Sequence, residues 1–333
     1  MINAYATFEA GQELVPYQYD PGELQPHEVE MDVHSCGICF SDLVIIDNGL
    51  GITQYPLVPG HEVAGTIAKV GSAVTHLKVG QKAGLGWHAG YCNECEPCHS
   101  GDQNLCATAQ PTIVAHHGGY ADKVRAAADS VVPIPDGIEL EHAGPLFCGG
   151  ITVFNPLLQY DIKATDKVAV IGIGGLGHLA LQFLNAWGCE VTAFTSSEAK
   201  KKEALSMGAH HTLSSVDEEE IKSAAGRFDL ILFAANVPLD WNLYLSTLKP
   251  RGRLHLAGAF LDPVEFSWVP LALGQLTVSS SPVGSPATIA KMLDFAALHN
   301  IKPIIEKYKF CEVNEALAKV RNGQGKYRVV LCH

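Results

Sequence analysis

The chain has 333 residues, 47% hydrophobic and 17% charged, with a formal net charge of −12. That length predicts two domains, and the composition excludes disorder on any scale. The charge excludes a nucleic-acid binder, because no basic stripe exists to displace phosphate counterions.

No run of 18 apolar residues occurs, so no membrane span is expected. The opening MINAYATFEAGQEL carries Glu9 early and lacks the basic and apolar regions of a signal peptide, so a cytoplasmic protein is expected.

The first half is rich in Gly, Pro and short β-type runs. EVEMDVHSCGIC, VAGTIAKVGSAV, KAGLGW and GYADKVRAAADSVVPIP are separated by turn signals such as Pro59-Gly60 and Gly71-Ser72, which predicts a compact β-rich domain. Along it lie CGICFSD, PGHE and, at its end, PLFCGG. Cys39, His61 and Cys148 from these stretches could supply three zinc ligands and leave a fourth position open. Each signal alone is weak. A buried Cys148 is usually core packing, His61 alone is usually structural, and Cys36-x2-Cys39 could be a thioredoxin-type pair, although the βαβ context of that motif is lacking.

Between them GYCNECEPCHSGDQNLC sets out Cys92-x2-Cys95-x2-Cys98-x7-Cys106. In a reducing compartment such a cluster reads as a metal or catalytic site rather than a disulfide framework. Four thiolates from one loop can close a tetrahedron around a structural zinc with no open position. An iron–sulfur cluster or a redox role is the alternative, although a ferredoxin run has a shorter last gap and a proline where Ala107 stands. A closed four-sulfur site has no room for substrate.

From about Lys167 the texture changes to strands alternating with helices, which predicts a parallel sheet wound on both faces. KVAVIGIG precedes the helical GLGHLALQFLNAWG, EVTAFTS precedes SEAKKKEALSMGA, and FDLILFAA precedes LDWNLYLSTLK. GRLHLAGA and LTVSSS follow, then the helical PATIAKMLDFAALH. DEEEIK reads as a solvated helix face. The final VNEALAKVRNGQGKYRVVL reads as a helix, a turn and a strand that returns to the first domain.

Gly172, Gly174, Gly175 and Gly177 lie between the first of these strands and its helix. There they permit a tight turn and let backbone amides approach a pyrophosphate. An NAD site would carry an acid at the end of the next strand, where Ser196 and Ser197 stand instead, with Lys200 close behind. A carboxylate about 4 Å from a 2′-phosphate would cost roughly 4 kcal/mol per charge pair at an effective dielectric of about 20, so serines and a lysine point to NADP(H). Glu198 is the competing acid, placed past the strand end.

Together these stretches resemble the zinc-dependent medium-chain alcohol dehydrogenases over essentially the whole chain, in the family's order. FCGGITVFNPL, SSEAKKKEAL and KYRVVL look most like the cinnamyl-alcohol-dehydrogenase branch and its bacterial broad-range NADPH-dependent aldehyde reductases. The resemblance implies an α/β protein with a GroES-like catalytic domain over residues 1–148, including a structural zinc lobe at 90–106. A doubly wound Rossmann domain for NADP(H) would follow at 149–285, and 286–333 would return to the catalytic domain. It implies two zinc ions per chain, one catalytic at Cys39, His61 and Cys148, the other structural at Cys92, Cys95, Cys98 and Cys106. Glu62 matches a carboxylate that can approach or replace the fourth ligand, and Asp42 the acid that orients His61. Ser41 matches the hydroxyl that exchanges a proton with the reacting oxygen, Thr152 a nicotinamide neighbour, and Arg328 a pyrophosphate contact. Ser196, Ser197 and Lys200 match the 2′-phosphate pocket.

Two positions depart from the pattern. Phe40 stands where relatives usually carry His or Arg near the pyrophosphate, and Val44 where many carry a proton-passing histidine. The implied activity is reduction of aldehydes to alcohols with NADPH, on a small-molecule substrate, by a homodimer joined through the LTVSSSPVG edge. The rivals are a polyol dehydrogenase, usually with a glutamate ligand and NAD, a zinc-free reductase, and an idle NADPH-binding sensor. Cys36, Cys189, Cys311 and Cys332 read as packing or surface thiols, and His116 and His117 as loop residues.

Overall fold

The computed structural model describes residues 1–235, 237, 239–258 and 263–333. The chain divides into two compact units, one of Met1–Ile151 with Val283–His333 and the other of Thr152–Pro282.

The first unit is organised by the strand Glu28–Ile38, whose apolar side chains Val29, Met31, Val33 and Ile38 are buried. It pairs antiparallel with Val63–Val70 and with Arg328–Cys332. The sheet continues through Lys82–Leu85 to Val131–Pro133 on one side, and to Ile305–Lys309 on the other. Burying each large apolar side chain here contributes about 1.5–3 kcal/mol. The returning strand sets Leu331 opposite Cys36, and Cys36 in turn faces Val63, so the last, first and middle parts of the unit meet at the strand that leads to Cys39.

The run KVRAAADSVVPIP does not form one strand. Lys123–Ala127 pairs with the Glu28–Ile38 strand, a 3-10 turn at Ala128–Ser130 intervenes, and Val131–Pro133 pairs with Lys82–Leu85. The amide of Ala128 donates to His27 O, leaving the ladder at that point.

In the second unit, six described strands are parallel, in the order His211–Ser214, Glu190–Thr195, Lys167–Ile171, Phe228–Phe233, Leu248–Leu256, Thr277–Ser280. This is a doubly wound order with its switch point between Lys167–Ile171 and Phe228–Phe233. Val168, Ala169, Val170 and Ile171 are all buried, as a strand covered on both faces must be. The helix Gly177–Trp187 follows the first strand and ends at Gly188, whose φ of 102° is the left-handed conformation a C-terminal glycine adopts freely.

The helix expected over LDWNLYLSTLK is shorter, Trp241–Leu245. Asp240 caps its start, Thr247 Oγ1 bonds back to Tyr244 O, and Leu248 already begins the next strand. Ala259 of the GRLHLAGA run lies outside the described residues. Two elements carried no clear signal, the strand His211–Ser214 and the helix Trp268–Gly274, because one is mostly polar and the other uniformly apolar.

Candidate active site

The strand Glu28–Ile38 ends just before Cys39, which stands at the N-cap of the helix Phe40–Ile46. In the first turn of that helix Asp42 is fully buried. Its Oδ2 accepts from the Cys39 amide (2.9 Å), and its Oδ1 from the Gly60 amide (3.1 Å) and His61 Nδ1 (2.9 Å). One carboxylate thus binds two of the three segments that bring donors to the site. With Nδ1 donating to Asp42, a neutral imidazole would present its Nε2 lone pair to a metal, and Nε2 lies 3.3 Å from Cys148 Sγ. Cys148 comes from the far end of the unit, after the turn Gly144–Phe147, and its Sγ is 3.8 Å from Cys39 Sγ.

These spacings suit a tetrahedral ion. Zinc–sulfur bonds of about 2.3 Å place two sulfurs about 3.8 Å apart, and a sulfur and an imidazole nitrogen about 3.6 Å apart. The Cys148 contact, with His61 beside it, holds the Cys39 thiol well below its ordinary range, while Cys148 is held well above by that same contact and by burial. Two adjoining thiols, one buried and one half-buried, cannot readily both ionise without a cation between them.

Glu62 completes a set of four residues whose donor atoms lie within 4.8 Å of one another. Its carboxyl is fully buried and pushed up to about 7 by that burial, against the pull of Arg328. Oε1 accepts from Arg328 Nη2, and Oε2 has no hydrogen-bond partner among the described residues. Gly37 makes the space for it, since a Cβ there would lie 2.0 Å from Oε2. The resemblance implies a pyrophosphate contact for Arg328. In the structure its guanidinium is buried and pairs with Glu62, because a carboxylate this far from water requires a cation beside it.

Ser41 is half-buried in the first turn of the helix Phe40–Ile46, and Val44 is buried one turn on. Phe40 is 42% exposed. Trp87, which carried no signal in the sequence, sets its ring edge-on to His61 at 5.0 Å. Cys36 is fully buried and its thiol donates to Gly37 O, whereas Cys39 meets Cys148. Cys36 and Cys39 therefore do not form a thioredoxin-type pair.

The second cluster is local. Cys92, Cys95, Cys98 and Cys106 bring their sulfurs within 4.8 Å of one another. Cys92 Sγ lies 3.9 Å from Cys98 Sγ and 3.5 Å from Cys106 Sγ, again near tetrahedral edges. Asn93 at φ 58° and Gly101 at φ 87° turn the chain around the four sulfurs, and the amide of Cys95 donates to Cys92 Sγ. Asn93 Nδ2 fastens the lobe to Asp129 (2.9 Å).

The glycine loop belongs to the second unit. Gly172 has φ 89° and no room for a side chain beside Ala235, Gly174 has nothing within 4 Å of its missing Cβ, and a Cβ on Gly177 would lie 2.0 Å from Gly172 O. Tight turn, open approach and close helix packing are the three uses a pyrophosphate loop makes of glycine. Gly175 lies between the last two. At the end of the neighbouring strand, Ser196, Ser197 and Lys200 are exposed. Ser197 Oγ caps the helix Glu198–Ser206, and Lys201 pairs with Glu198 at 2.8 Å. Thr152 is buried in the helix Gly149–Gln159.

Residues 25–136 match the alcohol dehydrogenase GroES-like domain, and residues 175–297 the zinc-binding dehydrogenase domain. The chain is 59% identical to the aldehyde reductase AdhA of Synechocystis, over 100% of this chain and 99% of that protein. A cinnamyl alcohol dehydrogenase from Sorghum bicolor superposes with a TM-score of 0.95 at 34% identity, covering 99% of this chain and 97% of that one. The corresponding enzyme of Helicobacter pylori, solved with NADP(H), does so at 0.91 and 30%, with coverage of 99% and 97%.

Proposed function

The chain belongs to the zinc-dependent medium-chain alcohol dehydrogenases, in the cinnamyl-alcohol-dehydrogenase branch, and on that premise we propose that it reduces aldehydes to primary alcohols with NADPH. The observation that carries this reading is the open donor set of Cys39, His61 and Cys148, with Asp42 fixing the imidazole tautomer.

Zinc held by those three residues would polarise the aldehyde carbonyl as a Lewis acid, and NADPH would supply the hydride. Ser41 gives a proton to the substrate oxygen as the carbonyl carbon is reduced, and is reloaded through the coenzyme ribose hydroxyl, which opens to water. Val44, three residues on, has no titratable group to extend that route. Arg328 holds Glu62 by one oxygen and would contact the coenzyme pyrophosphate, and Glu62 is the carboxylate that could approach or replace a fourth zinc ligand. Gly172, Gly174, Gly175 and Gly177 admit the pyrophosphate to backbone amides, Thr152 adjoins the nicotinamide, and Ser196, Ser197 and Lys200 receive the 2′-phosphate. Cys92, Cys95, Cys98 and Cys106 hold a second, structural zinc. Residues 1–148 and 286–333 serve as catalytic domain, and 149–285 as coenzyme domain.

The assay that tests this reading follows NADPH oxidation with a panel of aromatic and aliphatic aldehydes, with and without zinc chelation. No turnover with any aldehyde, or turnover indifferent to loss of zinc, would sink it.

We place the protein in the cytoplasm, where two reduced thiol clusters persist. Among the described residues no helix is long and apolar enough to cross a membrane. A homodimer is proposed through the sheet edge at Thr277–Ser280. The adjoining helix Trp268–Gly274 has no buried residue, with Trp268 75% and Leu273 84% exposed. A sedimentation measurement giving the mass of one chain would remove this proposal.

A further inference from the structure

The segment that carries His61 is gripped by more than Asp42. The amide of Gly118 donates to Val58 O (2.9 Å), that of Gly119 to Gly60 O (2.7 Å), and that of Tyr120 to Pro59 O (2.9 Å). Three successive amides therefore lock onto the residues immediately before the imidazole. Gly118 fits only as glycine, since a Cβ would lie 2.5 Å from Pro59 O and 2.6 Å from Gly60 O.

The Tyr120 side chain, fully buried, extends that grip. Gly60 turns at φ 98°, and a Cβ there would lie 2.4 Å from Tyr120 Cδ1 and 2.9 Å from Cys36 Sγ. The ring thus rests on the bare backbone of Gly60, whose amide is held by Asp42 Oδ1. Tyr120 Oη has no hydrogen-bond partner among the described residues. An unpaired buried hydroxyl is unfavourable, so the residue is not explained by hydrogen bonding through its side chain. What the ring supplies is bulk against a turn that has no side chain of its own.

We propose that Tyr120 is a positioning residue for the Val58–Glu62 segment, and that its ring, not its hydroxyl, sets how firmly the zinc at Cys39, His61 and Cys148 is retained. The inference rests on the reading of those three residues as a zinc site. It concerns the geometry of the ligands rather than the reaction, so it is tested by metal retention.

The holoprotein is exposed to a chromophoric chelator, and the release of each zinc is timed for wild type, Tyr120→Phe, Tyr120→Leu and Gly60→Ala. Wild type should release two zincs in two separable phases, of which Cys148→Ser removes the one belonging to the open site. Tyr120→Phe should keep both phases, because the ring remains. Tyr120→Leu should speed the open-site phase by about 10–100-fold, the range for losing support of a ligand's orientation, and leave the lobe's phase unaltered. Gly60→Ala, which presses on the same ring from the other partner, should act in the same direction and covers the case in which Tyr120→Leu does not fold. Equal acceleration of both phases, or a Tyr120→Phe protein as leaky as Tyr120→Leu, would overturn the role given to the ring. A wild-type protein holding only the lobe's zinc would overturn the zinc reading of the site itself, and this inference with it.

Discussion

The two donor clusters of the first unit are built in opposite ways. Cys92, Cys95, Cys98 and Cys106 come from one loop, and their geometry is set by Asn93, Gly101 and the amides of the loop itself. Cys39, His61 and Cys148 come from a helix cap, an extended segment and a turn, with the first two tied together by Asp42 and the His61 segment held by the strap at Gly118–Tyr120. A site that only has to close on an ion can be written in one stretch of chain. A site that must leave one position free needs its donors fixed from outside, because nothing in the ion's own coordination holds that position open.

Removing one sulfur from each cluster exposes the contrast most strongly. Cys148→Ser should abolish NADPH oxidation while the melting temperature stays near that of wild type. Cys92→Ser should chiefly lower the melting temperature, since a structural zinc contributes directly to folding. Equal losses of activity and stability in both variants would erase the distinction.

The open site also needs a side chain that handles a proton, for which the lobe has no counterpart. Ser41→Ala should lower kcat by about 10²–10⁴, the range for losing a positioned proton transfer. Near-wild-type turnover from pH 6 to 8 would mean that the proton travels by another route.

The glycine loop and its neighbouring strand end are encoded locally, like the lobe, so a single exchange should change their specificity. Ser196→Asp should weaken NADPH and favour NADH, reversing the ratio of kcat/KM by about 10²-fold, within the cost of one close charge pair. An unchanged ratio would take the 2′-phosphate away from Ser196.

The smallest effect concerns the strand that leads into the lobe. Burial pulls the imidazole of His88 down to about 4, whereas the unfolded chain takes that proton near pH 6.5. Between those values the unfolded state binds more protons, so this contribution to stability is complete above pH 6.5 and is lost as the pH falls toward 4. It amounts to about 1–3 kcal/mol. Chemical denaturation of His88→Gln should show a flatter decline over that window than wild type, with the zinc content unaltered at neutral pH.

The local and the long-range features of the chain follow the same division. The thiol lobe, the glycine loop and the alternation of strand and helix from Lys167 onward are short-range patterns, and short-range physics is enough to recognise them. Cys spacing limits which sulfurs can surround one ion, glycine marks where backbone must approach backbone, and periodicity of two or 3.6 residues reports which face is buried. Cys39, His61 and Cys148 can be grouped as possible ligands from their residue types, but each signal alone is weak and the resemblance is what singles out that set. The tertiary structure decided what depends on distant partners. Arg328 reaches Glu62 because the last strand returns beside Glu28–Ile38, setting Leu331 against Cys36. Trp87 meets His61, and Tyr120 settles on Gly60, through contacts that leave no periodic trace. A buried carboxylate, an aromatic edge and a missing Cβ acquire their meaning from what lies across from them, and that is specified by the packing of the whole unit rather than by any one segment.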